Sequence, residues 1–274
     1  MPEYDFPSMV RSCQEGYEER GNTWVSHEPY NRSYFLEACG GHELYKESGG
    51  ALLDERLSIV FELAQISSGM RVLDLGCGRG ELVRHSAEAG ALTWGVDLSQ
   101  EAIRISKETL LGSCQDKILQ RAGLCKAKGS CLPFPPGSFH RVLLSDILEH
   151  LSKEELKRTL KEVHRVLSPD GMVVFHTFPN KWFYSLFYPL KRLFGDKIKG
   201  QAGPRNPRTY YERLLHLQEL SPWSVWRSFR GGFKIKLWCS HRSRWDSRKR
   251  KFRSRGGPLG LLREPELWGM AWKR

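Results

Sequence analysis

Residues 72–80 read VLDLGCGRG, a short apolar run that enters a loop with a glycine at every second position. The pattern predicts a strand ending near Asp74, a glycine loop through Gly80, and then a helix over residues 81–89. Glycine lets the backbone turn sharply and approach a ligand without a Cβ in the way. The helix that follows offers free N–H groups and the positive end of its dipole, so residues 74–80 predict a ligand-binding loop.

A second acid indicates what the loop binds. Residues 91–97 read ALTWGVD and predict a second strand that ends at Asp97. A carboxylate at this position of an α/β fold accepts hydrogen bonds from the hydroxyls of a ribose. The glycines do not follow the G-x-G-x-x-G spacing typical of NAD sites, and the Asp74 carboxylate suits an ammonium group. The two features favour S-adenosylmethionine, which carries a nucleoside and an amino acid, over NAD.

Strands and helices alternate along much of the chain. Further strands are predicted at 141–145, 172–176, 233–238 and 267–272. Helices are predicted at 52–64, from 99 to 111, at 153–167 and from Ser221–Pro222 onward, with a turn at 168–171. This alternation predicts an α/β fold with a doubly wound, mostly parallel sheet and helices on both faces. Residues 1–50 lack strand alternation and predict an N-terminal helical extension or lid.

An apolar stripe interrupts the alternation at about 180–200. Its members share helical spacing and have lysines and one arginine around them; they are Trp182, Phe183, Leu186, Phe187, Leu190, Leu193 and Phe194. Pro189 is expected to kink or divide this amphipathic insertion. Three interpretations stay open: a helix packed on the sheet, a lid over the substrate, or a helix at a membrane interface.

Composition and cysteine use indicate the compartment. Hydrophobic residues make up 40% of the 274 positions and charged residues 27%, which is typical of globular proteins. No run of apolar residues is long enough to span a membrane, and residues 1–20 lack the apolar core of a signal peptide. The seven cysteines are scattered without a C-x-x-C pair, which argues against a zinc site and for reduced thiols. We therefore expect a cytoplasmic protein.

The formal net charge of +12 is concentrated in residues 241–255, which read HRSRWDSRKRKFRSR. Eight lysines or arginines stand there against one aspartate. A solvated loop explains such a run, and so does a docking patch for nucleic acid, an anionic lipid surface or a phosphorylated substrate. The basic run could bind nucleic acid, but the rest of the sequence does not favour nucleic acid as a partner.

Several motifs resemble those of the class I methyltransferases, in the methyltransferase-domain group that includes ubiquinone and menaquinone biosynthesis enzymes. The likeness covers about residues 52–180; its motifs are VLDLGCGRGEL, GVDLS, LPFPPGSFHRV, LEHL, LKEVHRVLSPDG and TFPN. It implies a Rossmann-like, seven-stranded domain over residues 51–274 and S-adenosylmethionine as cofactor. It also implies that the glycine loop holds the methionine moiety and that Asp97 holds the ribose. The expected cofactor-binding residues are Asp74, Gly76, Cys77, Gly78, Gly80, Asp97, Leu98, Ser130, Cys131 and Ser145.

Two positions depart from the family pattern. Lys128 stands where members commonly have an aspartate that contacts the adenine amino group, and lysine cannot accept that hydrogen bond. The contact is then expected to pass to the backbone or to Ser130. His140 replaces the usual aspartate after the Ser-Phe pair. These departures bear on the adenine pocket and on activity, and they keep a catalytically silent, cofactor-binding scaffold among the hypotheses.

The expected end of the fourth strand, residues 145–150, reads SDILEH. His150 is predicted to act as a general base, with Asp146 one turn away if the segment is helical. Packing or capping is the alternative role for His150. A metal site built from Asp146, Glu149 and His150 is chemically allowed, but no metal is predicted.

The same segment bears on the methyl acceptor. It lacks the Asn or Asp followed by two prolines and an aromatic residue that is typical of enzymes methylating exocyclic amines of bases. A small-molecule or lipid-linked acceptor, methylated at oxygen, therefore fits best, while carbon and nitrogen stay open. Peripheral membrane contact is compatible with this reading. An RNA or protein methyltransferase that docks through residues 241–255 is the alternative.

Overall fold

A computed structural model describes residues 30–195, 204, 206, 208–252 and 260–274. The strands are β1 Arg71–Leu75, β2 Leu92–Asp97, β3 Ala122–Lys126, β4 Phe139–Ser145, β5 Leu167–Thr177, β6 Phe233–Cys239, β7 Trp245–Asp246, β8 Lys251–Phe252 and β9 Leu267–Lys273. The α-helices are α1 His42–Ser48, α2 Glu55–Ala64, α3 Glu81–Glu88, α4 Gln100–Leu111, α5 Asp116–Leu119, α6 Lys153–Val166, α7 Tyr188–Leu190, α8 Tyr210–Leu215, α9 Pro222–Phe229 and α10 Gly260–Arg263. Shorter 3-10 turns cover Leu148–His150 and Arg242–Arg244, and π-helical turns cover Tyr34–Ala38, Phe183–Phe187 and Lys191–Gly195.

Seven strands form one sheet in the order β3-β2-β1-β4-β5-β9-β6. The first five are parallel, and β9 runs antiparallel to both of its neighbours. The apolar central strands are buried, as a parallel sheet covered on both faces requires. One core cluster lies beneath α6 and α9, and a second lies beneath α2. This confirms the predicted doubly wound fold, and it brings the carboxyl ends of β1, β2 and β4 to one edge.

Three local features of the fold differ most from the prediction. Strand β3 was not predicted; its short span alternates between buried and half-buried residues. Helix α2 begins at Glu55 because the Asp54 carboxylate caps it, accepting from the Leu57 N–H at 2.8 Å. The turn predicted at 168–171 is instead an irregularity within β5, where pairing with β4 passes from Leu167 directly to Met172.

The insertion after β5 is helical over residues 181–195. Two π-helical turns flank α7, and Pro189 lies in the first turn of that element, where a missing N–H is tolerated. The side chain of Phe194 and residues 196–200 lie outside the described part of the chain, as do residues 1–29 of the predicted extension. None of the helices within the described residues combines the length and apolar character needed to cross a bilayer.

The basic run forms a packed hairpin over its described residues, 241–252. Strands β7 and β8 pair, and the Trp245 indole donates to Glu62 of α2 at 3.0 Å. Arg242 and Arg244 form ion pairs with Glu266 and Glu264. Part of the predicted charge excess is therefore neutralised within the fold, while residues 248–251 stay exposed. Residues 253–255 lie outside the described chain.

Candidate active site

The glycine loop connects β1 to α3 at the carboxyl edge of the sheet. Gly76, Gly78 and Gly80 have φ angles of 79°, 51° and 80°, in the left-handed region that side chains disfavour. A Cβ on Gly80 would lie 2.9 Å from the Ser106 side chain, and one on Gly76 would lie 3.1 Å from Ile147. The backbone conformation therefore favours glycine at all three positions, and close packing also favours it at Gly76 and Gly80.

Asp97 ends β2 next to this loop. Its carboxylate accepts the Gly78 N–H at 3.0 Å and the Ser99 N–H at 2.8 Å. Burial raises the pKa of Asp97, while hydrogen bonds from the backbone oppose that shift. A carboxylate keeps further lone pairs after two such bonds, so Asp97 can still accept from ribose hydroxyls. Leu98, which directly follows it, shares this position beside the loop.

Asp74 lies beneath the loop and is almost completely buried. Burial, followed by the charges of Asp97 and Glu81, raises the pKa of Asp74 to about 8. A set of buried carboxyl groups is stabilised by a nearby positive charge. S-adenosylmethionine carries such charges on its ammonium and sulfonium groups, so these residues fit the cofactor. Ser145, at the end of β4, adds a buried Oγ without a hydrogen-bond partner among the described residues.

The remaining predicted cofactor residues, Cys77, Ser130 and Cys131, lie in different surroundings. The Cys77 thiol points into the core, 3.6 Å from the Ser106 hydroxyl, and burial raises its pKa well above the usual value. Only the backbone of Cys77 therefore belongs to the loop surface. The Cys131 N–H donates to the Lys128 carbonyl at 3.0 Å, which closes the turn containing Ser130 shortly after β3. Ser130 is half-buried and Cys131 is exposed.

His140 lies at the opposite edge of the sheet. It is near the start of β4, and its Nδ1 accepts the Arg71 N–H at 2.9 Å. Arg71 opens β1, so both residues belong to the amino ends of their strands. The departure from the family pattern at His140 is therefore remote from the glycine loop, in contrast to the departure at Lys128.

Asp146 does not pair with His150, contrary to the prediction. One carboxylate oxygen lies 2.5 Å from Nδ1 of His176, and Arg56 forms an ion pair with the other. The reason is the backbone: Asp146 has a φ of 53°, and only Leu148–His150 form a 3-10 turn. One helical turn therefore does not connect the two side chains. A catalytic role for Asp146 stays a prediction, now with Arg56 and His176 as its partners.

His150 is half-buried next to Tyr30 of the N-terminal segment. Its Nδ1 lies 3.2 Å from the Leu215 carbonyl oxygen and 3.1 Å from the Tyr30 hydroxyl. A carbonyl only accepts, so the tautomer that satisfies this contact carries its proton on Nδ1 and leaves Nε2 as the basic nitrogen. Burial lowers the pKa of His150 to about 4, with the Leu215 hydrogen bond opposing that shift. The imidazole is therefore neutral at physiological pH.

Glu149 and His216 complete a group of potential metal ligands around His150. Each of the three residues offers one ligand atom within 4.8 Å of the others. Both oxygens of Glu149 already accept hydrogen bonds, from the Thr177 hydroxyl at 2.8 Å and the Phe178 N–H at 3.3 Å. Burial raises the pKa of Glu149 to about 7. This arrangement can hold a divalent cation, but it also has a complete structural role without one.

The segment from Tyr30 to Gly41 covers the glycine loop. The Ser99 hydroxyl donates to the Tyr30 carbonyl at 2.9 Å, so Tyr30 contacts both the end of β2 and the end of β4. Arg79 donates to the carbonyls of Phe35 at 2.9 Å and Gly40 at 2.8 Å. Sequence reasoning missed Tyr30 and Arg79 as site residues. The available signals were an aromatic cluster just before the domain and an arginine between two loop glycines.

The chain is similar to known methyltransferases in sequence. Residues 72–171 match the family model described as a methyltransferase domain. An uncharacterized methyltransferase of Synechocystis sp. is 34% identical over 132 residues, which cover 47% of this chain and 56% of the relative. A ubiquinone/menaquinone biosynthesis C-methyltransferase of Cupriavidus metallidurans is 28% identical over 57% of this chain and 64% of the relative. A mitochondrial Rattus norvegicus protein named an arginine-hydroxylase is 26% identical over 77% of this chain and 55% of the relative.

Solved structures show the same fold. A protein from Pyrococcus horikoshii aligns with a TM-score of 0.56 and 15% identity, over 92% of this chain and all of the other. A S-adenosylmethionine-dependent methyltransferase from Aquifex aeolicus aligns with a TM-score of 0.52 and 15% identity, over 84% of this chain and 95% of the other. The chain spans between 55% and 64% of the length of the three sequence relatives. Residues 72–171 of this chain therefore form a methyltransferase domain, and they contain the glycine loop and Asp97.

Proposed function

We propose that the protein transfers a methyl group from S-adenosylmethionine to an oxygen atom of a small-molecule or lipid-linked acceptor. The observation that carries this proposal is the neutral, half-buried His150 at the edge where β1, β2 and β4 end. Tyr30 contacts His150 through its hydroxyl and Ser99, two residues after Asp97, through its carbonyl.

The cofactor supplies an electrophilic methyl group on a sulfonium that is itself a good leaving group. The residues proposed to hold it are those of the glycine loop, with Asp97 beside the ribose and Asp74 near the amino acid end. The chain's remaining tasks are to align the acceptor, to exclude water and to accept a proton. The segment from Tyr30 to Gly41 serves the second task because it lies over the loop.

His150 is the proposed proton acceptor. A pKa of about 4 makes it a weak base toward a free hydroxyl. The hydroxyl proton becomes strongly acidic as the new C–O bond forms, so a weak but always neutral base suffices late in the step. The Leu215 carbonyl orients the ring by fixing the proton on Nδ1. A carbon or nitrogen acceptor would place less demand on such a base.

The surroundings favour a small apolar acceptor. Tyr34 and Tyr211 are in ring contact at 5.6 Å and, with Tyr30, form an aromatic cluster close to His150. The apolar insertion over residues 181–195 begins just after β5, next to the same edge. By contrast, Arg242 and Arg244 are engaged in ion pairs, which lowers the positive charge that the basic hairpin offers to RNA.

The test has two parts, cofactor binding and methyl transfer. Calorimetry of the full chain with S-adenosylmethionine is expected to give saturable binding that Asp97→Asn weakens. Incubation with labelled cofactor and cell extract is expected to place label in a solvent-extractable small-molecule fraction, and His150→Gln should lower the labelling rate at least about a hundredfold. Label in RNA or precipitated protein would overturn the acceptor assignment. Binding without transfer to any fraction would indicate a silent scaffold, and absence of binding would refute the proposal entirely.

A further inference from the structure

We propose that the outward side of the helical insertion docks on an anionic lipid bilayer. The proposed contact surface, here called the leucine face, consists of Leu186, Leu190 and Leu193. The exposed fractions of these side chains are 54%, 54% and 52%. All three lie within the helical stretch over residues 181–195.

Aromatic side chains of the same stretch attach it to the protein. Phe183, Tyr184, Phe187 and Tyr188 are half-buried and contact one another's rings. The Arg208 guanidinium lies 5.1 Å from the Tyr184 ring centre, and the Tyr188 hydroxyl donates to the Pro204 carbonyl at 2.8 Å. Aromatic packing therefore holds the helix in place while its leucines point away from the fold. A row of large apolar side chains left exposed in this way typically marks an interaction surface.

The charge around the leucine face suits a negatively charged surface. Residues 181–195 contain three cationic side chains and no aspartate or glutamate. Lys181 and Lys191 are exposed, and Arg263 lies over the Phe187 ring at 5.8 Å. An apolar strip flanked by lysine and arginine is the arrangement with which interfacial helices bind membranes containing anionic lipids. A stretch of this length covers about 20 Å and can lie flat in the headgroup region without crossing the bilayer.

A second copy of this chain is a less suitable occupant. A two-fold contact through the leucine face would bring Lys181 and Lys191 toward their own counterparts without an acid from the same stretch to balance them. Stable protein interfaces bury about 800 Å² per partner. Three leucines on one short helical stretch supply only a fraction of such an area. The lipid surface requires neither self-complementary charge nor a fixed shape.

The leucine face lies close to the candidate active site along the chain. Asn180 follows the end of β5, and the Lys181 N–H donates to the Leu220 carbonyl at 2.9 Å. Thr177, three residues before Asn180, donates a hydrogen bond to Glu149, the residue next to His150. Membrane docking would therefore bring the acceptor edge near the bilayer. This link to a lipid-linked acceptor rests on the proposed function, whereas the docking itself does not.

The test is sedimentation of the full chain with vesicles of phosphatidylcholine alone or of phosphatidylcholine and phosphatidylglycerol in equal parts. We expect binding to the mixed vesicles that weakens as salt is added, and much weaker binding to the neutral ones. The variant Leu186→Gln/Leu190→Gln/Leu193→Gln should lower the partition coefficient at least about tenfold, because each leucine loses apolar burial in the bilayer. Lys181→Gln/Lys191→Gln should remove most of the preference for phosphatidylglycerol.

A matched variant controls for the loss of exposed leucines in general. Leu52, Leu111 and Leu119 are also exposed, at 57%, 53% and 39%, and they lie outside the helical insertion. Their triple glutamine variant should bind vesicles like the parent, and unchanged thermal unfolding should show that both triple variants fold. Equal vesicle binding by both triple variants, or absence of binding by the parent, would overturn the proposal. A parent dimer that the leucine-face variant dissociates would overturn it in favour of self-association. None of these measurements requires cofactor or turnover, so their failure is separable from failure of the proposed methyl transfer.

Discussion

The Tyr30 hydroxyl and Nδ1 of His150 lie 3.1 Å apart, although the two residues are separated by 120 positions in the chain. This contact joins the N-terminal segment to the end of β4 directly over the glycine loop. Burial, with the charges of Asp97 and Glu149, raises the pKa of Tyr30, so the phenol stays neutral. The cover of the site and its proposed base are therefore parts of one hydrogen-bonded unit.

Removing the Tyr30 hydroxyl tests this coupling. We expect Tyr30→Phe to lower the rate of methyl transfer about tenfold, because the ring still covers the loop while His150 loses one orienting contact. Cofactor affinity should stay within about twofold of the parent, since the Tyr30 carbonyl still accepts from Ser99. Single-turnover kinetics and calorimetry separate the two quantities. Tyr210→Phe, at a ring that is 63% exposed, is the matched control; equal effects of both variants would contradict the coupling.

His150→Gln tests the proposed base. General base catalysis contributes about 10²- to 10⁴-fold, so the rate should fall within that range while cofactor binding is retained. The measurement is the rate of labelled methyl transfer to the acceptor under saturating cofactor. His140→Gln serves as control, because His140 lies at the amino edge of the sheet and should leave the rate unchanged. A His150→Gln variant that transfers methyl groups at the parental rate would exclude the base assignment.

Asp97→Asn tests the nucleoside contact. The amide keeps one acceptor but loses the charge and part of the hydrogen-bonding capacity toward ribose hydroxyls and the loop N–H groups. We expect cofactor affinity to fall about tenfold to a hundredfold, as the loss of charge-assisted hydrogen bonds implies. Calorimetric titration measures this change. Asp116→Asn, at an exposed helix start, should bind the cofactor like the parent; parental affinity in Asp97→Asn would remove Asp97 from the binding site.

Asp74 makes stability depend on pH. Its pKa rises from 3.8 to about 8 on folding, so the folded chain holds a proton that the unfolded chain releases between these values. This carboxyl group therefore favours the folded state fully below pH 4, and its contribution is lost as pH rises through 8.

Asp74→Asn removes this proton linkage. As pH rises from 4 to 9, the free energy of unfolding of the variant should increase relative to that of the parent. The expected increase is on the order of a few kcal/mol. Urea unfolding at several pH values measures the difference, with Asp116→Asn as the control. If the free energies of unfolding of variant and parent differ by the same amount at every pH, Asp74 keeps an ordinary pKa in the folded state. Added S-adenosylmethionine should shrink the difference by stabilising the parental carboxylate.

Local sequence patterns predicted the sheet, the glycine loop and Asp97 because strand, turn and helix signals are short-range. The partners of Asp146 were not predictable in the same way. They depend on a left-handed residue and a 3-10 turn that replace the assumed helical turn. The contacts of Tyr30 with Ser99 and His150 join distant parts of the chain, so no local pattern contains them. The position of His140, in contrast, follows from its place near the start of a parallel strand.

Arg79 belongs to the glycine loop, yet its guanidinium turns away from the ligand side to bond Phe35, Gly40 and Glu81. A cofactor that leaves the loop must therefore pass a segment fastened by the loop itself. We expect the residence time of the donor, and of the demethylated product that replaces it, to depend on how often these carbonyl contacts open. The glycine loop would then also set the rate of donor exchange.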